Sequence, residues 1–165
     1  MSWVPLHVHS QYSILDAPAS VDAIAEKAAE FKMPAVALTD QGNMYGAVEF
    51  FKACKAVGVK AIIGCELFVA PQSRLDKKRI PGMPHGFTIV LLAKNQLGYK
   101  NLCALSSLAH LEGFYYTPRI DKELLAQHSS AAPPRAVLQA GLGIATVPAS
   151  SRISHFAGEA LGGEE

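Results

Sequence analysis

Two hydrophobic patterns alternate along this chain. Short continuous apolar runs are typical of buried strands, whereas apolar residues that recur three or four positions apart are typical of helices. The apolar runs predict strands over residues 4–8, 35–39, 60–64, 66–70 and 87–93. The helical spacing predicts helices over residues 21–33, 44–57, 96–111 and 122–128. This order of elements predicts an α/β fold in which parallel strands are joined by crossover helices.

Polar residues and glycines mark the ends of the predicted helices. Ser20, Asn43, Asn95 and Asp121 each precede a helical run, where a side-chain oxygen can accept a hydrogen bond from the first turn. Gly58 follows the second helix and suits the left-handed conformation that ends many helices. Residues 71–86 contain three prolines and the basic stretch RLDKKR (74–79), which predicts an exposed loop. The alternative for this stretch is contact with a nucleic-acid backbone.

The last part of the chain differs in composition. Of the 37 residues in 129–165, 21 are Ala, Gly, Ser or Pro, and all ten lysines lie before this tail. We therefore predict one partial domain over residues 1–128 and an irregular tail over residues 129–165.

Composition and charge exclude several classes of protein. Fifteen Lys and Arg against fourteen Asp and Glu leave a net charge of +1, so the chain as a whole has no strong field toward nucleic acid or a membrane. Cys54, Cys65 and Cys103 are far apart and form no CxxC pair, which argues against a disulfide framework or a thiolate zinc site. A reduced, cytoplasmic setting and no membrane association are expected.

Candidate metal ligands follow several of the predicted strands. His7 and His9 are two residues apart at the end of the first, so both imidazoles would face one side. Asp16 and Asp40 follow in the next loops, and Glu66 borders the third strand region. Imidazole and carboxylate groups at neighbouring strand ends suit a divalent ion.

Each of these residues also has an ordinary explanation. The histidines can be unrelated, Asp16 and Asp40 can be loop and turn residues, and Glu66 can be an exposed strand position. The residues by themselves leave both interpretations open.

Five sequence blocks carry a family resemblance over residues 3–128. They are LHVHSQYSILDA, ALTDQGNMYGAVEFFKACK, KAIIGCELFVAP, LLAKNQLGYKNLCALSS and LEGFYYTPRIDKELL. In this order they resemble the PHP (polymerase and histidinol phosphatase) domain at the N-terminus of bacterial DNA polymerase III alpha subunits. The resemblance implies a PHP-type distorted β/α barrel, incomplete in this chain.

The same resemblance implies a metal cluster, but this chain departs from the family pattern of ligands at two positions. His7, His9, Asp16 and Glu66 match family ligands, but Gln41 and Thr88 stand where many relatives have His. An amide is a poor zinc ligand, so the resemblance implies that zinc, manganese or magnesium binds weakly or not at all.

The resemblance implies one of two functions. The first is an N-terminal fragment of a DNA-directed DNA polymerase, a replication protein, with a structural or partner-binding role and no polymerase activity of its own. Its partners would be other holoenzyme subunits, notably the proofreading exonuclease subunit, with DNA reached through the parent enzyme. The alternative is a free-standing PHP-type metal-dependent phosphoesterase or 3′–5′ exonuclease.

The abrupt end of the resemblance suggests a change of reading frame. A domain boundary at this point would leave strand edges unpaired and the barrel interior unfilled. We hypothesise that the residues after Ser129 are translated out of frame.

Overall fold

A computed structural model describes residues 3–128 and the backbone of residues 144–147. The elements in chain order are α1 (Val21–Glu30), β1 (Ala35–Leu38), α2 (Ala47–Val57), β2 (Lys60–Val69), β3 (Phe87–Ala93), α3 (Gln96–Leu111), β4 (Arg119–Ile120), α4 (Lys122–Gln127) and β5 (Ile144–Val147). Apart from β5, the predictions for residues 129–165 lie outside the described residues.

The sheet is organised around the long strand β2. Strands β1 and β4 pair with it in parallel, at Lys60–Ile63 and at Phe68–Val69 respectively. These pairs and the helices between the strands confirm the predicted mixed α/β fold with parallel strands. Strand β3 instead runs antiparallel to β2, and β5 runs antiparallel to β3. The β2–β3 connection contains no helix, so β3 returns alongside β2 without a crossover.

The predicted first strand, residues 4–8, is not a strand. Ala37 N donates to Pro5 O at 2.9 Å and Thr39 N donates to Val8 O at 2.8 Å. The donors are two residues apart and the acceptors three, so the segment lies beside β1 with an extra residue that prevents a regular ladder. The Val8 N–H donates instead to Thr39 Oγ1 at 2.9 Å. His7 and His9 are therefore held on an irregular extended segment.

Three of the four predicted N-caps are confirmed. Ser20, Asn95 and Asp121 accept hydrogen bonds from the first turns of α1, α3 and α4. The prediction for Asn43 is wrong, because α2 begins only at Ala47. The Asn43 amide donates to Tyr12 O and Gln41 O, so this side chain links two loops.

Strand alternation separates the core from the functional side of β2. Cys65 and Leu67 are buried in an apolar cluster with Leu102 and Leu105 of α3. Glu66 lies between them and points to the opposite face of the strand. A second apolar cluster packs α1 and α2 against β1, with Phe50 fully buried. Among the described helices, none has the length and hydropathy needed to cross a bilayer.

Candidate metal centre

His7, His9 and Glu66 converge at one point. Glu66 Oε2 lies 2.5 Å from His7 Nε2 and 3.2 Å from His9 Nε2, and the two imidazole nitrogens are 3.2 Å apart. These three donor atoms lie within 4.8 Å of one another. Two imidazole nitrogens and one carboxylate oxygen are a donor set suited to a divalent metal ion.

The carboxylate at the centre of this group is fully buried. Glu66 is 0% exposed, so the alternative interpretation of Glu66 as an exposed strand residue is wrong. Burial raises the pKa of Glu66, but hydrogen bonds to His7 and His9 outweigh it and hold the pKa well below its usual range. Glu66 is therefore an ionised group that requires positive charge beside it, from an imidazolium or a metal ion.

Asp16 contacts the His9 ring nitrogen that faces away from Glu66. Its Oδ2 is 2.6 Å from His9 Nδ1, while His9 Nε2 faces Glu66. Burial lowers the pKa of His9, and the hydrogen bonds and charges of Glu66 and Asp16 raise it by more. A carboxylate on Nδ1 leaves the Nε2 lone pair available to an ion, as in many carboxylate–histidine–metal arrangements. Direct ligation by Asp16 stays a prediction.

Asp40 organises the loop that follows the two histidines. Its carboxylate accepts hydrogen bonds from Ser10 N at 2.7 Å, Ser10 Oγ at 2.8 Å and Ser13 Oγ at 2.7 Å. It is 2% exposed and is not a member of the donor group. The sequence patterns did not point to Ser10 and Ser13. The available signal was two serines, one and four residues after the HxH motif.

The two departures from the family pattern lie at different distances from Glu66. Gln41 bridges to Glu66 in the backbone, and its Nε2 donates to Glu66 Oε1 at 3.3 Å. Thr88 pairs with Phe68 in the β2–β3 ladder, whereas Glu66 pairs with Val90. Thr88 is therefore on the same face of the sheet as Glu66, two residue pairs further along the ladder.

The donor set fits one divalent ion. Its protein ligands would be His7, His9 and Glu66, and the described residues contain no other such group of three. The His7 side chain is 4% exposed and its Nδ1 has no hydrogen-bond partner in the described residues, so its contribution is Nε2 alone. His85, the histidine three residues before Thr88, is not part of this group and instead makes ring contacts with Tyr115 and Tyr116.

Comparison with known proteins gives a consistent result. The PHP domain family model matches residues 5–143. The chain is 59% identical over 129 residues to the DNA polymerase III subunit alpha of Chlamydia trachomatis, covering 78% of this chain and 10% of that protein. It is 53% identical over 129 residues to that of Treponema pallidum, covering 78% of this chain and 11% of that protein. The chain thus spans about a tenth of the length of these relatives.

A solved structure is also similar. It is an amidohydrolase from Chromobacterium violaceum, with 21% identity and a TM-score of 0.44, covering 66% of this chain and 36% of that one. A similarity at that level carries no argument about function.

Proposed function

This chain belongs to the PHP domain family, and from that premise we propose that it is the N-terminal PHP region of a replicative DNA polymerase III alpha subunit, with a reduced metal site and a structural or partner-binding role. The observation that carries the proposal is the high identity to two such subunits over 129 residues. The DNA-directed polymerase activity is assigned to the parent protein. The matched segment is about a tenth of it.

The small number of donor atoms supports a reduced metal site. His7, His9 and Glu66 would hold an ion, which when bound supplies Lewis-acid chemistry toward a phosphoryl oxygen or water. Asp16 fixes the orientation of His9, and Gln41 donates to the second oxygen of Glu66. That hydrogen bond engages Glu66 Oε1 without contributing a ligand. We therefore propose weak binding of one ion, zinc, manganese or magnesium.

The proposed partners are other subunits of the polymerase assembly, notably the proofreading exonuclease subunit. An exposed apolar face at the start of α2 supports a partner-binding role. Tyr45, Val48 and Phe51 are 72%, 57% and 55% exposed and recur three residues apart. Exposed apolar residues grouped in this way are common at protein interfaces. A cytoplasmic location is part of the same proposal.

Metal analysis tests this function. We expect elemental analysis of the purified 165-residue chain to find at most one weakly held ion, and titration with Zn²⁺ or Mn²⁺ to show binding that His9→Ala abolishes. Two or more tightly held ions per chain would overturn the reduced site. Metal-dependent hydrolysis of a phosphodiester that His9→Ala removes would favour the free-standing phosphoesterase instead.

A further inference from the structure

A second group of chemically distinctive residues lies away from the candidate metal centre. The loop over residues 71–86 lines a small surface cleft together with Tyr115 and Arg119, and the Tyr116 ring lies beside it against His85. We call the cleft and this ring the basic–aromatic surface and define it by Lys78, Arg79, His85, Tyr115 and Tyr116. Neither the proposed polymerase role nor the metal site uses any of these side chains.

Two buried or anchored cations hold this surface in place. Lys77 Nζ donates to the backbone carbonyls of Glu112 and Phe114. Arg119 is 2% exposed, and its guanidinium donates to Gly113 O at 3.1 Å, His85 O at 3.2 Å and Asp76 O at 2.8 Å. These bonds tie the loop to the aromatic segment, so the surface is organised before any ligand arrives.

The aromatic part presents one open ring. His85 lies 4.6 Å from Tyr116 and 5.5 Å from Tyr115, centroid to centroid, and Tyr115 also carries Arg119 on its ring at 5.0 Å. Tyr116 nevertheless remains 71% exposed. Its φ of 62° is in the left-handed region, which Asn or Gly adopts at lower cost. A strained backbone thus holds a tyrosine ring out toward solvent.

The charged part has cations with no carboxylate partner. Lys78 and Arg79 are exposed, and neither side chain makes an ion pair within the described residues. Asp76 is the acidic residue of the cleft, and one of its carboxylate oxygens accepts the Lys78 backbone N–H at 2.9 Å. Arg74, Lys77, Lys78 and Arg79 against Asp76 leave a local excess of three positive charges on this loop, although the whole chain is nearly neutral.

We propose that the basic–aromatic surface binds single-stranded nucleic acid, with phosphates on Lys78 and Arg79 and a base stacked on Tyr116. Unpaired cations beside an open aromatic ring are the combination that single-strand binding proteins use, because the cations follow the backbone and the ring accepts any base. The exposed ring favours a single strand over a duplex, since a paired base has no free face to stack on it.

Fluorescence anisotropy with the 165-residue chain and a labelled oligothymidylate of about 20 nucleotides tests this proposal. We expect Tyr116→Ala to weaken binding on the order of tenfold and Tyr116→Phe to retain it, because stacking needs the ring and not the hydroxyl. We expect Lys78→Ala with Arg79→Ala to reduce the slope of log K against log salt by about 1.4, because each phosphate contact contributes about 0.7.

Matched controls separate this surface from general charge. Lys52→Ala with Lys55→Ala removes two exposed cations of α2, and Phe31→Ala removes an exposed ring at the end of α1; neither should change affinity or slope. Equal losses from the control pair, or binding that Tyr116→Ala leaves unchanged, would overturn the proposal. Preference for a blunt duplex of the same length would also overturn it. The anisotropy readout does not depend on metal binding or on the polymerase assignment. The nucleic-acid proposal and the proposed function can therefore fail independently.

Discussion

Glu66 shows how a single buried charge determines the local chemistry. A carboxylate removed from water requires compensation, and His7 and His9 both lie within hydrogen-bond distance of it. An imidazolium or a metal ion satisfies the same need. Which of the two prevails depends on how many further ligands surround the carboxylate, and Gln41 is a neighbouring residue that contacts it without being a good metal ligand.

Gln41→His is expected to strengthen Zn²⁺ binding on the order of tenfold. The new imidazole replaces an amide that contacts Glu66 Oε1 at 3.3 Å, so it enters the group of donors at a position already beside the carboxylate. Calorimetric titration measures the change. Gln127→His, at an exposed position on α4, is the matched control and should leave the affinity unaltered. An equal gain in both variants would contradict the assignment.

The sequence identified the three donor residues but not the contacts that surround them. His7, His9 and Glu66 were selected from an HxH motif, strand ends and a family pattern, and they do converge. The sequence did not reveal that Asp16 would contact His9 Nδ1 or that Asp40 would bind two serine hydroxyls. Such contacts depend on the path of a loop, which local periodicity does not determine.

At the scale of helices and strands, the predicted bounds agree best with the structure where the local sequence pattern is strongest. β3 matches its predicted range, and α3 begins and ends where Asn95 and Leu111 predict, because a continuous apolar run and an Asx cap act locally. The β2–β3 orientation was missed because it depends on residues 71–86, where prolines and charges indicate a loop but not its course. Residues 4–8 show the same limit, since an apolar run does not reveal an extra residue in the ladder.

Asp121 connects two elements, and its charge makes that connection sensitive to acid. One carboxylate oxygen accepts Leu124 N at 2.9 Å to cap α4, and the other accepts Arg74 N at 2.9 Å. Burial raises the pKa of Asp121, but the hydrogen bonds to Arg74 and Leu124 outweigh it, so the folded-state pKa lies below the ordinary value. The resulting stabilisation is present above the unfolded pKa of about 3.9 and is lost as pH falls through the folded value.

Asp121→Asn is therefore expected to lower the free energy of unfolding by about 1–2 kcal/mol at neutral pH, with a smaller difference from the unsubstituted chain below about pH 4. Urea unfolding at both pH values measures the two differences. Asp22→Asn, at an exposed first-turn position of α1, serves as the control and should show little change. A difference of the same size at both pH values would contradict the role given to the charge.

At the scale of the whole molecule, the chain is expected to lack polymerase activity. Nucleotide transfer requires metal-binding carboxylates placed against a triphosphate, and none of the five family blocks belongs to a polymerase palm. A primer-extension assay with the purified 165-residue chain should show no elongation. Elongation that a substitution within the chain abolishes would contradict this prediction.

The change of composition after residue 128 leads to a prediction about the coding DNA. Two relatives match 129 residues of the chain at high identity, and within residues 129–165 small and turn-forming residues supply 21 of 37 positions. The PHP family model continues to residue 143, and the backbone of β5 pairs with β3. One short strand added to an open edge requires only unpaired backbone groups, which a sequence not selected for this fold can also provide.

We therefore expect one of the two other reading frames after codon 129 to encode a Gly-Leu-Ile run followed by a Ser-x-Cys-Leu block, which the PHP resemblance leads us to expect beyond residue 128. Resequencing the genomic DNA across codons 120–140 and translating all three frames measures this directly. The frame that encodes residues 1–128 is the internal control, because it must reproduce the five matched blocks. If neither other frame contains the expected block, residues 129–165 are the authentic continuation of the chain, and the strand β5 then belongs to its selected fold.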